Sequence, residues 1–158
     1  MATQDPPIAP AAVRYGLYTA AGLSAYRLLA TYVNFGLIGS PEVLNVLILA
    51  CGIVVAIGQY RRRLGHPLPY GAGMRLGMFT SLVSMAGYAV FAFAFYQFAD
   101  PAYLRRVIHY PPADEPNAYE IAATALFEGL AYGVIVTLAT MQYFTLDRTD
   151  KRFDEAYE

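Results

Sequence analysis

The run LGMFTSLVSMAGYAVFAFAFYQFA, residues 76–99, decides the fold. It carries no charged residue, and Asp100-Pro101 closes it. An apolar stretch of this length reads as a helix that crosses a lipid bilayer. Just before it stand Arg61, Arg62, Arg63 and Arg75, with no acidic residue among them and the turn-rich His66-Pro67-Leu68-Pro69-Tyr70-Gly71 between. Positive charge beside a span stays on the cytoplasmic side. The two features together set the medium and the orientation.

Working outward, Val43 to Tyr60 is a second uncharged run. It lies near the lower limit of the roughly 17–25 residues needed to cross the hydrocarbon. Ser40 and Pro41 before it are the residue types of a helix cap and a first helical position. A first span is expected from about Tyr15 to Phe35, interrupted only by Arg27. Residues 1–12 hold Pro6, Pro7 and Pro10 and are expected to be extended or disordered. No basic residue precedes Arg14, so a signal peptide is not expected.

Beyond the deciding run, residues 100–118 read as a polar connection with prolines at 111, 112 and 116. Tyr103 and Ile108 could lay a short helix on the membrane surface there. A fourth span is expected from about Tyr119 to Leu146, and it contains Glu128. Residues 147–158 alternate in sign and read as a solvated polar tail. The expected architecture is an all-α, integral membrane four-helix bundle over residues 13–146. With the basic loop inside, both termini are cytoplasmic. Barrel strands would alternate polar and apolar residues, and these runs do not.

Composition agrees. Of the 158 residues, 57% are hydrophobic and 15% charged, against about 25% charged in an ordinary soluble domain. The formal net charge is −1, and no extended basic face exists for nucleic acid. Cys51 is the single cysteine, so an internal disulfide and a cysteine metal cluster are excluded. There are 14 Tyr and no Trp, and tyrosine suits the membrane–water boundary.

Rows of small residues point to close helix packing, because lipid supplies no hydrophobic drive between helices. Gly73, Gly77 and Ser81 form one row, continuing to Ser84 and Gly87. Ala125, Gly129, Gly133 and Thr137 form another, Gly52 and Ala56 a third, and Ala21 and Ala25 a fourth. Each row either packs the bundle or, for the fourth-span ladder, makes a homodimer contact.

Arg27 and Glu128 are lone charges within apolar spans. Counted from expected span ends at Phe35 and Glu120, each lies eight residues in, about 12 Å at 1.5 Å per residue. Opposite charges at matching depth are expected to pair, with Tyr26, Tyr132 or Asn34 near them. Such a pair either fixes helix register or lines a polar cavity for a proton, an ion or a lipid headgroup. Arg61, Arg62, Arg63 and Arg75 either mark topology or contact anionic lipid. Gly71 to Gly77 imitates a dinucleotide fingerprint, but the spacing is one residue too long and no βαβ unit surrounds it. His109 with Asp100, Asp114, Glu115 and Glu120 lacks a helical ligand pair and reads as a solvated loop. No catalytic residue, metal site or cofactor is expected.

The order of features resembles a bacterial inner-membrane family known as domain of unknown function 4199. The resemblance rests on Ile57-Gly58-Gln59-Tyr60-Arg61, on Tyr70-Gly71 through Arg75 and Gly77, and on Asp100-Pro101-Ala102-Tyr103 after Tyr96 and Phe98. It continues through Phe127-Glu128 and Gly133 to Leu138 and covers about residues 55–140. Ala72 stands where a lysine is common and Pro69 where a serine is common. The resemblance implies a small four-span protein of the bacterial inner membrane with Glu128 as a family feature, and it implies no activity.

The functional expectation is a non-enzymatic accessory or self-associating membrane component. Its partners would be membrane lipids and either further copies or another membrane protein. The alternative is a small transporter or lipid-handling protein using the Arg27–Glu128 site. A lipid-modifying enzyme using His109 and Glu120 ranks below both.

Overall fold

A computed structural model describes residues 7–32, 41–64, 67–98 and 117–156, with side chains from 145 onward and at 32, 41 and 42 left aside. The described residues form four helices and no strand: α1 Ile8–Tyr32, α2 Pro41–Leu64, α3 Tyr70–Phe98 and α4 Ala118–Ala156. Three segments are long and apolar enough to cross a membrane: Val43–Leu64, Tyr70–Phe98 and Ala118–Phe144. The first expected span, α1, falls short in apolar character over its described residues, because Arg14, Arg27 and its Thr, Ser, Gly and Tyr residues dilute its leucines.

The helix ends correct several sequence boundaries. The stretch expected to be extended up to residue 12 is already helical from Ile8. Pro10 sits in the first turn, where the missing N–H has no helical acceptor to lose. Ala12 is 1% exposed, so this turn is part of the core. The third span starts at Tyr70, not Leu76. There the amides of Ala72 and Gly73 both donate to the Pro69 carbonyl at 3.1 Å, which turns the supposed loop into a first helical turn. Asn117 caps α4: its Oδ1 accepts from the Glu120 amide at 2.9 Å, and Glu120 reaches back to the Asn117 side chain. Unbroken helix continues to Ala156, so α4 is about 58 Å long at 1.5 Å per residue. That exceeds a whole bilayer of roughly 40–45 Å, and the polar tail prolongs the fourth span as helix. Ser40, Tyr103, Ile108 and His109 lie outside the described residues.

The helices are apolar on their outer faces as well as their inner ones. Val90 and Phe127 are each 71% exposed, and Leu29, Leu47, Phe79, Ile135 and Tyr143 are exposed as well. A soluble protein does not display such a continuous apolar surface, whereas helices apolar all round belong in lipid. The interior is rich in small and hydroxyl residues. Thr80, Ser81, Ser84, Thr137 and Thr140 are buried alongside Ile53, Ile57 and Leu76. Ser84, Thr137 and Thr140 each return their hydroxyl to the carbonyl four residues back at 2.7 Å, so they satisfy themselves within their own helices.

Glycine contacts set the register. On α3 and α4, Gly73 faces Met141, Gly77 faces Thr137, Ser81 faces Gly133 and Met85 faces Gly129. These four rungs step by four residues in opposite directions, so the two helices run antiparallel. In every rung one helix supplies the glycine and the other the side chain that fills it. α1 and α3 run parallel, with Gly16 against Val83 and Ala20 against Gly87. α1 and α2 run antiparallel, with Gly52 against Thr19 and Gly22 against Ile48. The product is an up-down-up-down bundle with α3 packed most heavily, against α4 and against α1. α1 and α4 are the pair that touches least.

Candidate functional site

The register decides where the charges go. Arg27 of α1 donates a hydrogen bond to the Tyr96 hydroxyl of α3, and its guanidinium lies 5.7 Å from the centroid of the same ring. Tyr96 lies two residues from the end of α3. The Tyr96 ring packs edge-on against Phe95, which stacks in turn on Phe91. Arg27 therefore sits toward the end of the bundle opposite the basic loop, half-buried.

Glu128 is elsewhere. It is exposed on α4, and among the described residues it forms no ion pair with Arg27. Extending the α3–α4 register places Tyr96 opposite Ala118, and the 4.8 Å contact of Phe93 with Tyr119 agrees. The α1–α3 contacts set Arg27 level with about residue 94 and hence with Glu120 of α4, eight residues from Glu128, so the two residues are offset by about 12 Å along the bundle. They also stand on the two helices that touch least. The expected pairing fails because it counted depth from assumed helix ends, and packing offsets α1 against α4.

Glu128 instead stands at a cavity of about 120 Å³ lined by all four helices. Its inner wall is Leu23, Leu49, Met85 and Tyr88, all buried. Asn45, Tyr132 and the Tyr88 hydroxyl contribute further polar atoms. Glu128 and Tyr132 are the exposed residues of the lining, so they form the mouth. The Asn45 Oδ1 is buried and has no hydrogen-bond partner, although the Asn45 side chain lies within reach of the Tyr88 hydroxyl. A buried amide oxygen without a donor costs about 1–3 kcal/mol. Nothing in the sequence pattern marked Asn45, which reads as a single polar residue near a helix start.

The other residues singled out by sequence have packing or surface positions. Gly73, Gly77 and Ser81 on α3 and Gly129 and Gly133 on α4 are the rungs of the α3–α4 contact, with Ala125 half-buried above them. Gly129, Gly133 and Thr137 of the α4 ladder thus pack against α3. On α1 the contact row is Gly16 and Ala20, while Ala21 and Ala25 point outward. Arg62, Arg63 and Arg75 are exposed, and Arg61 lies 5.1 Å from the Phe144 ring centroid, which ties α2 to α4 at that end. Glu120 serves the α4 cap. Among the described residues no three His, Cys, Asp or Glu side chains gather as a metal site.

Comparisons with known proteins reach the family level. No curated protein and no solved structure matches the chain. A family model described as a protein of unknown function, DUF4199, matches residues 14–145, which takes in all of α2 and α3 and most of α1 and α4. The chain is a membrane-type helical bundle belonging to the DUF4199 family.

Proposed function

We propose that this protein is a non-catalytic, multi-pass component of the bacterial inner membrane that holds a small polar molecule or lipid group in the cavity beside Glu128. The observation that carries this reading is an exposed carboxylate well inside a span, at the mouth of a cavity that also holds an unpartnered amide oxygen. Glu128 lies ten residues into α4, about 15 Å from its start. An ionised side chain near a span's centre costs about 2.5–3.5 kcal/mol on the insertion scale. An occupant that met both Glu128 and Asn45 would remove that cost. Both termini are assigned to the cytoplasm, because the up-down-up-down order brings α1's start and α4's end to the side of Arg61, Arg62, Arg63 and Arg75.

The second reading is an accessory subunit whose partner, another copy or a different membrane protein, covers Glu128. The exposure of that carboxylate favours it. Native mass spectrometry after gentle extraction separates the two. A bound small molecule that disappears in Ala125→Phe, which fills the cavity, supports the cavity reading. A bound protein that dissociates in Glu128→Gln and persists in Ala125→Phe supports the subunit reading and overturns the first.

A further inference from the structure

We infer that the cavity takes an organic cation bearing a primary ammonium group, an inference that rests on the cavity reading above. The lining has the chemistry of an acceptor set. Glu128 offers a carboxylate, Asn45 offers a buried amide oxygen beside the Tyr88 hydroxyl, and Tyr88 and Tyr132 offer hydroxyl oxygens and ring faces. Among the described residues no lysine, arginine or histidine lines it. Arg27, the expected partner of Glu128, is engaged by Tyr96 and stands about 12 Å away along the bundle. An occupant that brings its own donors and its own positive charge matches the described lining.

A primary ammonium does both. It carries three N–H donors on one compact charge. One can go to Glu128, one to the Asn45 Oδ1 and one to the Tyr88 hydroxyl, and the ring of Tyr132 can take the remaining face of the cation. A hard metal ion would want six or more oxygens, and the lining has one carboxylate and no cluster of ligating side chains. An anion would meet Glu128 and no cation. The apolar inner wall of Leu23, Leu49 and Met85 suits a short alkyl portion. A volume of about 120 Å³ accommodates such a head without a large ligand. Two sources offer this chemistry, a free alkylamine and the ethanolamine headgroup of a lipid.

The test uses the full chain in vesicles of phosphatidylglycerol, with ethylammonium as probe and ethanol as the neutral control of similar size. Thermal unfolding is followed by circular dichroism and binding by calorimetry. Ethylammonium is expected to bind and raise the midpoint, and ethanol is not. Glu128→Gln, which keeps the shape and removes the charge, is expected to weaken binding by about tenfold or more, the scale of a hydrogen bond to a charged group. Asn45→Ala is expected to weaken it by a smaller factor, with helicity unchanged in both variants. A second set of vesicles containing phosphatidylethanolamine separates the sources. If those vesicles raise the midpoint of the wild type and abolish the ethylammonium response, the lipid headgroup is the occupant. If ethylammonium still acts in them, the free amine is. Equal responses to ethylammonium and ethanol, both lost in Ala125→Phe, would overturn the ammonium assignment and leave the cavity reading standing. No response to either probe or to either lipid, in wild type as in Ala125→Phe, would overturn both.

Discussion

The α3–α4 rungs predict a rescue by exchange. An added Cβ at Gly133 would collide with the Ser81 Oγ and come within 2.6 Å of the Ser81 Cβ. Both residues are on helices whose backbones are fixed by the rungs on either side, Gly77–Thr137 and Met85–Gly129. Gly133→Ser therefore overpacks the contact, and overpacking costs about 1–3 kcal/mol. Ser81→Gly alone opens a small gap and loses a little helix propensity, about 1 kcal/mol together. The double variant reverses the rung, with glycine on α3 and the hydroxyl residue on α4. That is already the arrangement of the neighbouring rung, Gly77 against Thr137. The coupling energy is expected to be about 1–3 kcal/mol in favour of the double variant. Unfolding in detergent micelles, followed by far-ultraviolet circular dichroism, measures it. Gly58→Ala is the control, since no atom lies within 4 Å of a Cβ there, and its gain in helix propensity should leave stability unchanged or slightly raised. A double variant no more stable than Gly133→Ser would refute the rung geometry, as would a Gly58→Ala loss as large as that of Gly133→Ser.

Two further outcomes follow from the charges. Tyr96→Phe keeps the ring beneath Arg27 and removes the hydroxyl that accepts from it. A loss of about 1.5–3 kcal/mol in unfolding free energy is expected, the range for a hydrogen bond to a charged group, and a neutral result would show that Arg27 draws nothing from Tyr96. Exchanging Arg27 and Glu128 is expected to bring no rescue, because the two sites are about 12 Å apart along the bundle. A double variant more stable than either single change would place the charges together and overturn the register derived from the glycines.

Membrane character, helix number and the location of the basic end are legible in the sequence because they are properties of contiguous residues. Leu76 to Ala99 without a charge needs no partner to read as a span. Even the contact rows were legible on α3 and α4, since a glycine every four residues has one physical use in lipid. Rows on α1 were misread, as alanine occurs on every face of that helix and only contact separates Ala20 from Ala21.

The tertiary structure alone decided which residues share a level. Sequence distance counts along one helix, while the meeting of two helices depends on a relative slide that their side-chain rungs select. That slide brings Arg27 to Tyr96, sets Glu128 on the helix remote from α1, and turns Asn45 toward Tyr88 and the cavity. Composition could announce that two charges lie within spans. Only packing could say that they stand apart, and that the carboxylate faces a cavity instead of the arginine.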